Sequence, residues 1–225
     1  MRTFLASAIL LFGLIPAFTR TVAQKTQNAE THGQLLVAGR DLSDPFFRES
    51  VVLMLPINED RLLVGLIINK PSKILVRDVF PDSPALQKLD AKAYFGGPVD
   101  AEVVARSAIF RTKSPPKNAT LVFGDVYVSF DPDTIAALAA NPQQASTLRV
   151  FVGRAQWGAA QLENEAASGA WHSLPATADS VFNAYPENLW HTLIDRADPR
   201  PVVQATPRFL PPVFTSSRQP SIGAD

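Results

Sequence analysis

Val126-Tyr127-Val128-Ser129-Phe130-Asp131-Pro132-Asp133 is the stretch at which strand patterning gives way to helix. Its first five residues are mostly β-branched or aromatic, and their mixed period suits a strand covered on both faces. Asp131 then offers a carboxylate to the free N–H groups of a helix start, and Pro132 fits the first helical position. Ile135, Leu138 and Ala139 form the apolar face of that helix, and Asn141-Pro142 ends it. Working outward, the upstream chain reads as strands at 34–38, 50–55, 62–68, 94–95, 103–110 and 121–123, bounded by turn formers. Asn58-Glu59-Asp60-Arg61 is a hairpin turn, and 76–80 is a helical turn kept short by Pro81 and Pro84. Downstream come a strand at 148–152, a helix at 157–168 stopped at Gly169, a strand at 170–174, and a last helix at 188–197 stopped by Pro199. Strands mostly precede helices, so the expected class is α+β and not a doubly wound parallel sheet.

The chain has 225 residues, with 21 basic and 21 acidic side chains, three histidines and no cysteine. That length builds one domain with a sizeable core. Charge balance argues against a general phosphate-backbone binder. Zero cysteine excludes disulfides, thiolate metal sites and a cysteine nucleophile. Arg2, an apolar stretch at 4–18, and small residues Thr21 and Ala23 match a secretory signal peptide, with cleavage expected after Ala23. The apolar stretch is shorter than the roughly 20 residues that span a bilayer. Residues 1–23 are thus the expected signal peptide, 24–32 a polar lead-in, 33–197 the globular domain, and 198–225 a tail with prolines at 199, 201, 207, 211, 212 and 220. Losing Arg2 and Arg20 leaves a mature chain of net charge −2. The expected localisation is periplasmic or secreted, with no nucleic-acid partner.

The usual catalytic signatures are missing: no G-x-S-x-G, no H-E-x-x-H, no P-loop and no G-x-G-x-x-G after a strand. His32, His172 and His191 lack metal-ligand spacing, so neither a metal nor another cofactor is expected. His191 and Asp195 stand one helical turn apart, the spacing of a surface hydrogen bond as much as of a dyad. Phe95-Gly96-Gly97-Pro98 is a turn needing positive φ, or a nest of N–H groups for an anion. Gly65 inside a strand marks a bulge or a close backbone approach. Lys70, after Asn69, is a solvated turn lysine or an anion contact. Gln161 and Glu165 share one helical face, either solvating a helix beside the packed Trp157 or forming the polar rim of a cleft. Asn69, Lys70, Gly96, Gly97, Trp157, Gln161 and Glu165 are therefore the candidate binding residues, and no catalytic residue is assigned.

Four segments in order carry a resemblance: Asp44-Pro45-Phe46-Phe47-Arg48-Glu49-Ser50-Val51-Val52-Leu53, Val64-Gly65-Leu66-Ile67-Ile68-Asn69-Lys70-Pro71, Phe95-Gly96-Gly97-Pro98-Val99, and Phe151-Val152-Gly153-Arg154-Ala155-Gln156-Trp157-Gly158 continuing to Glu163. Together with Trp171, Val181-Phe182 and Leu189-Trp190 they resemble the AlgH/YqgE family of bacterial proteins. The resemblance implies a mixed, mostly antiparallel sheet curled into a pseudo-barrel with flanking helices. It supplies no reaction, since the family has no established enzymatic activity, and one branch is named for a role in regulating alginate synthesis. A Glu-His pair common in the family is Ile57-Asn58 here, a glycine before Trp157 is Gln156, another after it is Ala160, and the Asp that usually follows Val-Phe is Asn183. These changes remove ionisable groups from the motif regions. The leading expectation is a non-catalytic binding or accessory protein of the bacterial envelope. The alternatives are a regulator affecting transcription and a hydrolase-like enzyme with a cleft at the candidate residues.

Overall fold

Eleven strands form among the residues that this computed structural model describes, which are 33–59, 62–102 and 106–199. The expected signal peptide, the polar lead-in, the tail beyond residue 199 and the tip of the 58–61 turn lie outside the described residues. In chain order the first strands are β1 (Gln34–Ala38), β2 (Val51–Glu59), β3 (Leu62–Ile67), β4 (Pro71–Leu75), β5 (Lys92–Phe95) and β6 (Arg106–Arg111). β7 (Thr120–Phe123), β8 (Val126–Ser129), β9 (Arg149–Val152), β10 (Ala155–Gly158) and β11 (Trp171–Pro175) follow. The helices are α1 (Val76–Val79), α2 (Pro84–Gln87), α3 (Pro132–Ala140), α4 (Pro142–Ala145), α5 (Ala159–Ala167), α6 (Ala178–Val181) and α7 (Leu189–Ala197).

The class is α+β, but the strands build two sheets instead of one curled pseudo-barrel. The first sheet has the order β10-β3-β2-β1-β11 and is antiparallel. The second has the order β4-β5-β9-β6-β8-β7 and is mixed, because β5 and β9 run parallel. The physical reason for the division is visible between β9 and β10. There Gly153, with φ of +72°, turns the chain out of the second sheet and into the first. A residue in that conformation cannot continue a ladder, so neighbouring strands belong to different sheets.

Side-chain alternation along the second sheet explains how both of its faces are filled. Ile109 and Phe151 point into the core shared with the first sheet, while Ala108, Phe110, Val150 and Val152 point to the opposite face. That opposite face is covered by Val76, Val79, Leu86, Ile135 and Leu138 of α1, α2 and α3. α3 starts as its sequence directs, with Asp131 Oδ2 accepting the Thr134 N–H at 2.9 Å. The first sheet is closed by α7, whose Leu189, Trp190, Leu193 and Ile194 are buried, and the Trp190 indole donates to the Ala38 carbonyl at 2.8 Å.

One boundary differs from expectation in a way that matters for the site. The predicted helix at 157–168 begins at Ala159, and Trp157 lies on β10, paired with Leu63 of β3. Alternation on that strand buries Ala155 and Trp157 and leaves Gln156 and Gly158 partly open. The tryptophan therefore enters the core from a strand, not from a helix face.

Candidate functional site

The loop at 44–49 is where the candidate residues meet. It starts with Asp44, whose Oδ1 accepts the N–H groups of Phe46 at 2.8 Å and Phe47 at 3.1 Å, an arrangement that tightens the turn locally. The strand β3 ends beside it, which delivers Asn69 and Lys70 to its underside. Asn69 is 4% exposed; its Oδ1 accepts the Val51 N–H at 2.7 Å and its Nδ2 donates to the Glu49 carbonyl at 2.9 Å. Lys70 Nζ donates to the carbonyls of Phe46 at 2.8 Å and Arg48 at 3.0 Å. Burial, helped by the neighbouring Arg48 charge, lowers the Lys70 pKa from the ordinary lysine value.

These bonds make a direct prediction. Asn69→Ala leaves the buried Val51 N–H and the Glu49 carbonyl unpaired, so about 2 kcal/mol of stability is expected to be lost. Urea denaturation reads it, and a loss below about 0.5 kcal/mol, the range of ordinary surface substitutions, would show that the loop is held some other way.

The outer side of the same loop carries two phenylalanines with different tasks. The Phe47 ring lies 5.5 Å from Trp157 and 5.6 Å from Trp171, and the two indoles meet edge to face at 5.6 Å. Phe46 is 48% exposed and stacks on Phe95 at 6.0 Å. Both indole N–H groups are drawn to one acceptor: Glu165 Oε2 accepts from Trp157 Nε1 at 3.1 Å and from Trp171 Nε1 at 2.8 Å. Glu165 Oε1 takes the Gln161 amide at 2.8 Å, the contact that their one-turn spacing on α5 predicts.

Phe95 leads directly to the glycine pair, which lies at the junction of the two sheets. Gly96 N–H donates to the Val152 carbonyl at 2.8 Å, and its carbonyl accepts the Ile67 N–H at 2.9 Å. One glycine thus ties β9 of the second sheet to β3 of the first. Beside it Gly97 has φ of +148°, and Val99 exchanges backbone bonds with Arg154 at 2.9 Å in both directions. The glycines are therefore spent on close backbone packing, with a Cβ at Gly96 falling 2.3 Å from the Gly153 carbonyl oxygen.

Of the seven candidates, Asn69 and Lys70 hydrogen-bond the loop itself and Trp157 meets Phe47, whereas Glu165 and Gln161 connect to it only through the indoles, and Gly96 and Gly97 only as chain neighbours of Phe95. What sequence reasoning missed is Phe46-Phe47 as the connector. The signal was present, because two adjacent aromatics in a loop opened by Asp-Pro have no amphipathic strand or helix to serve. Elsewhere, Asp195 turns from His191 to Arg40, at 2.5 Å. The Asn183 carbonyl accepts Arg149 Nη2 at 2.5 Å, and that guanidinium lies 5.2 Å from the Tyr94 ring centroid and 5.8 Å from that of Phe182. Among the described residues no three His, Cys, Asp or Glu side chains are grouped to hold a metal ion.

A cavity of about 550 Å3 lies away from the loop, between α3 and the 112–118 segment. Hydroxyl, amide and carboxylate groups of Thr112, Asn118, Asp131 and Thr134 line it. Of its two carboxylates, Asp131 is already engaged as the cap of α3, and Asp133 follows it on the first turn of that helix.

A family model described as AlgH-like matches residues 35–201. The chain is 31% identical over 175 residues to a UPF0301 protein of Streptomyces coelicolor, covering 76% of this chain and 89% of that one. A UPF0301 protein of Thermobifida fusca is 34% identical over 171 residues, covering 73% and 85%. Among solved structures, the AlgH protein of Pseudomonas aeruginosa superposes with a TM-score of 0.59 at 23% identity, covering 78% of this chain and 94% of that one. A Corynebacterium diphtheriae protein solved by X-ray crystallography gives the same TM-score and identity, covering 77% and 88%.

Proposed function

The chain belongs to the AlgH-like family, and from that premise we propose that it is an exported, non-catalytic binding or accessory protein of the bacterial envelope. The observation that carries the non-catalytic reading is how the polar groups of the motif residues are used. Glu165 is occupied by two indoles and an amide, Asn69 by two backbone groups, and Lys70 by two carbonyls. A general acid or base must be free to reach a substrate proton, and a nucleophile needs such a base beside it. None of these three is arranged that way. Their bonds instead fix the loop at 44–49, with Phe46 outward, in the manner of a pre-organised binding surface that the buried Asn69, Gly96, Gly97 and Trp157 support from within.

Export is supported by the pattern at 1–23, a positively charged start, an apolar stretch and small residues before Gln24. Purified chain lacking residues 1–23 is expected to show no turnover on a panel of ester, phosphate and glycosidic substrates. Turnover that disappears in Glu165→Gln or Lys70→Met would overturn the non-catalytic reading. Cell fractionation tests the other half: the protein is expected in the periplasm or medium with Gln24 at its N-terminus. Recovery from the cytoplasm with residues 1–23 intact would refute export.

A further inference from the structure

Beyond that reading and independent of it, the first sheet ends at β11 in an edge that no described residue pairs. Which groups stand on that edge follows from the bonds to β1. Gly39 N–H donates to the Ala170 carbonyl at 2.8 Å, and Ala176 N–H donates to the Gly33 carbonyl at 2.7 Å. Every second residue of an antiparallel strand turns its N–H and C=O toward the partner, so His172 and Leu174 face β1 as Ala170 and Ala176 do. Trp171, Ser173 and Pro175 therefore turn theirs outward, and among the described residues nothing bonds those backbone groups. Trp171 is buried, but Ser173 and Pro175 are exposed, so the second half of the edge is open to a strand.

An open edge is a template for pairing, and native proteins cover it or break it. The chain carries a segment of the right kind close by. Asp198, at the end of α7, lies 3.5 Å from Arg40 Nε and lines one cavity with Gly169, Ala170 and His172. Pro199, the last described residue, therefore stands beside the start of β11. Residues 202–206 lie outside the described residues; their sequence is Val-Val-Gln-Ala-Thr, uncharged and mostly β-branched, between Pro201 and Pro207. Three residue steps separate Val202 from Pro199, a reach of at most about 11 Å. A tether this short gives the segment about a millimolar effective concentration at the edge, which favours it over a second molecule.

We propose that residues 202–206 add to β11 as a sixth strand of the first sheet, running parallel to it. Parallel neighbours need a crossover of about a dozen residues or more, commonly helical, and α6 and α7 lie between these two. The two prolines fix which residues face β11. Proline is tolerated on an edge strand where its missing N–H would have pointed to solvent. Pro201 and Pro207 then point outward together with Val203 and Ala205, and Val202, Gln204 and Thr206 turn toward β11. With Val203 opposite Ser173, the Ser173 N–H donates to the Val202 carbonyl. The Gln204 and Thr206 N–H groups donate to the carbonyls of Ser173 and Pro175. The new edge ends at a proline on each side, which blocks further strand addition.

Amide hydrogen exchange of the full chain, followed by NMR, tests this arrangement. The Ser173, Gln204 and Thr206 amides are expected to exchange at least about a hundredfold slower than in an unstructured peptide, and Val203 and Ala205 at least about tenfold faster than those three. Gln204→Pro removes a donor from the ladder and is expected to speed Ser173 exchange at least about tenfold, whereas Ser217→Pro, beyond the segment, leaves it unchanged. The Val37 amide, which faces β11 within the sheet, is the internal control for folding and is expected to stay protected in both variants. Free exchange at Ser173 in the folded chain would overturn the proposal, and so would protection that survives Gln204→Pro. Protection that rises with protein concentration as sedimentation reports a dimer would also overturn it, assigning the edge to a second copy.

Discussion

Replacing Gly97 with alanine is expected to cost about 4 kcal/mol, enough to leave many domains of this size partly unfolded at ambient temperature. A Cβ at this position would stand 2.3 Å from the Arg154 carbonyl carbon and 2.4 Å from both the Arg154 oxygen and the Ala155 nitrogen. All three are backbone atoms, so no side-chain rotation relieves the overlap. The φ of +148° adds a conformational penalty that only glycine avoids. Relief would require parting Gly97 from the Arg154-Ala155 backbone, and that separation strains the isolated Val99–Arg154 bridge beside it. Gly158→Ala is the control, since nothing lies within 4 Å of its Cβ position and its φ of −68° suits any residue. It is expected to be neutral or slightly stabilising. Denaturant unfolding of both variants measures the contrast, and similar midpoints for the two would refute the seam as a structural necessity.

Glu165→Ala is expected to lose about 3 kcal/mol, because two indole N–H groups give up a charged acceptor together. Trp157 is 2% exposed and Trp171 is 3% exposed, so water replaces the lost partner poorly. Glu165→Gln separates charge from acceptance. Its amide oxygen still receives the indoles, and the cost is expected to fall to about 1 kcal/mol. Equilibrium unfolding gives both values, and near-UV circular dichroism reports whether the edge-to-face tryptophan pair persists. Equal losses for the two variants would mean that packing volume, not hydrogen bonding, sets the role of Glu165.

These two positions show what is readable from sequence and what is not. The α+β class, the Asp131 cap and the need for positive φ at Gly97 follow from local chemistry, and the structure contains all three. The division into two sheets does not follow, because it depends on Gly153 diverting the chain by one residue's torsion. Nor does the start of the helix after Trp157. A short apolar stretch such as Ala155-Gln156-Trp157 fits either a strand or a helix until its partner strand β3 is known. Gln161 and Glu165 were recognisable as neighbours because helical spacing is local. Their connection to Trp171 was not, since that contact depends on where β11 lies. The adjacent aromatics Phe46 and Phe47 are visible in the sequence, but their partners Phe95, Trp157 and Trp171 are not, because each lies far along the chain.

The pairing of β1 with β11, from Gln34 opposite Pro175 to Ala38 opposite Trp171, bears on the order of events during synthesis. The first of the described strands to leave the ribosome waits for the last of them, and β3 waits in turn for β10. Until then the β1–β2–β3 hairpins lack both flanking strands and the tryptophans that cover their apolar face. Contacts this distant in sequence form slowly, so the nascent chain stays loosely structured through most of translation. Closure of the first sheet by β10 and β11 therefore makes the folding of this half a late, concerted event.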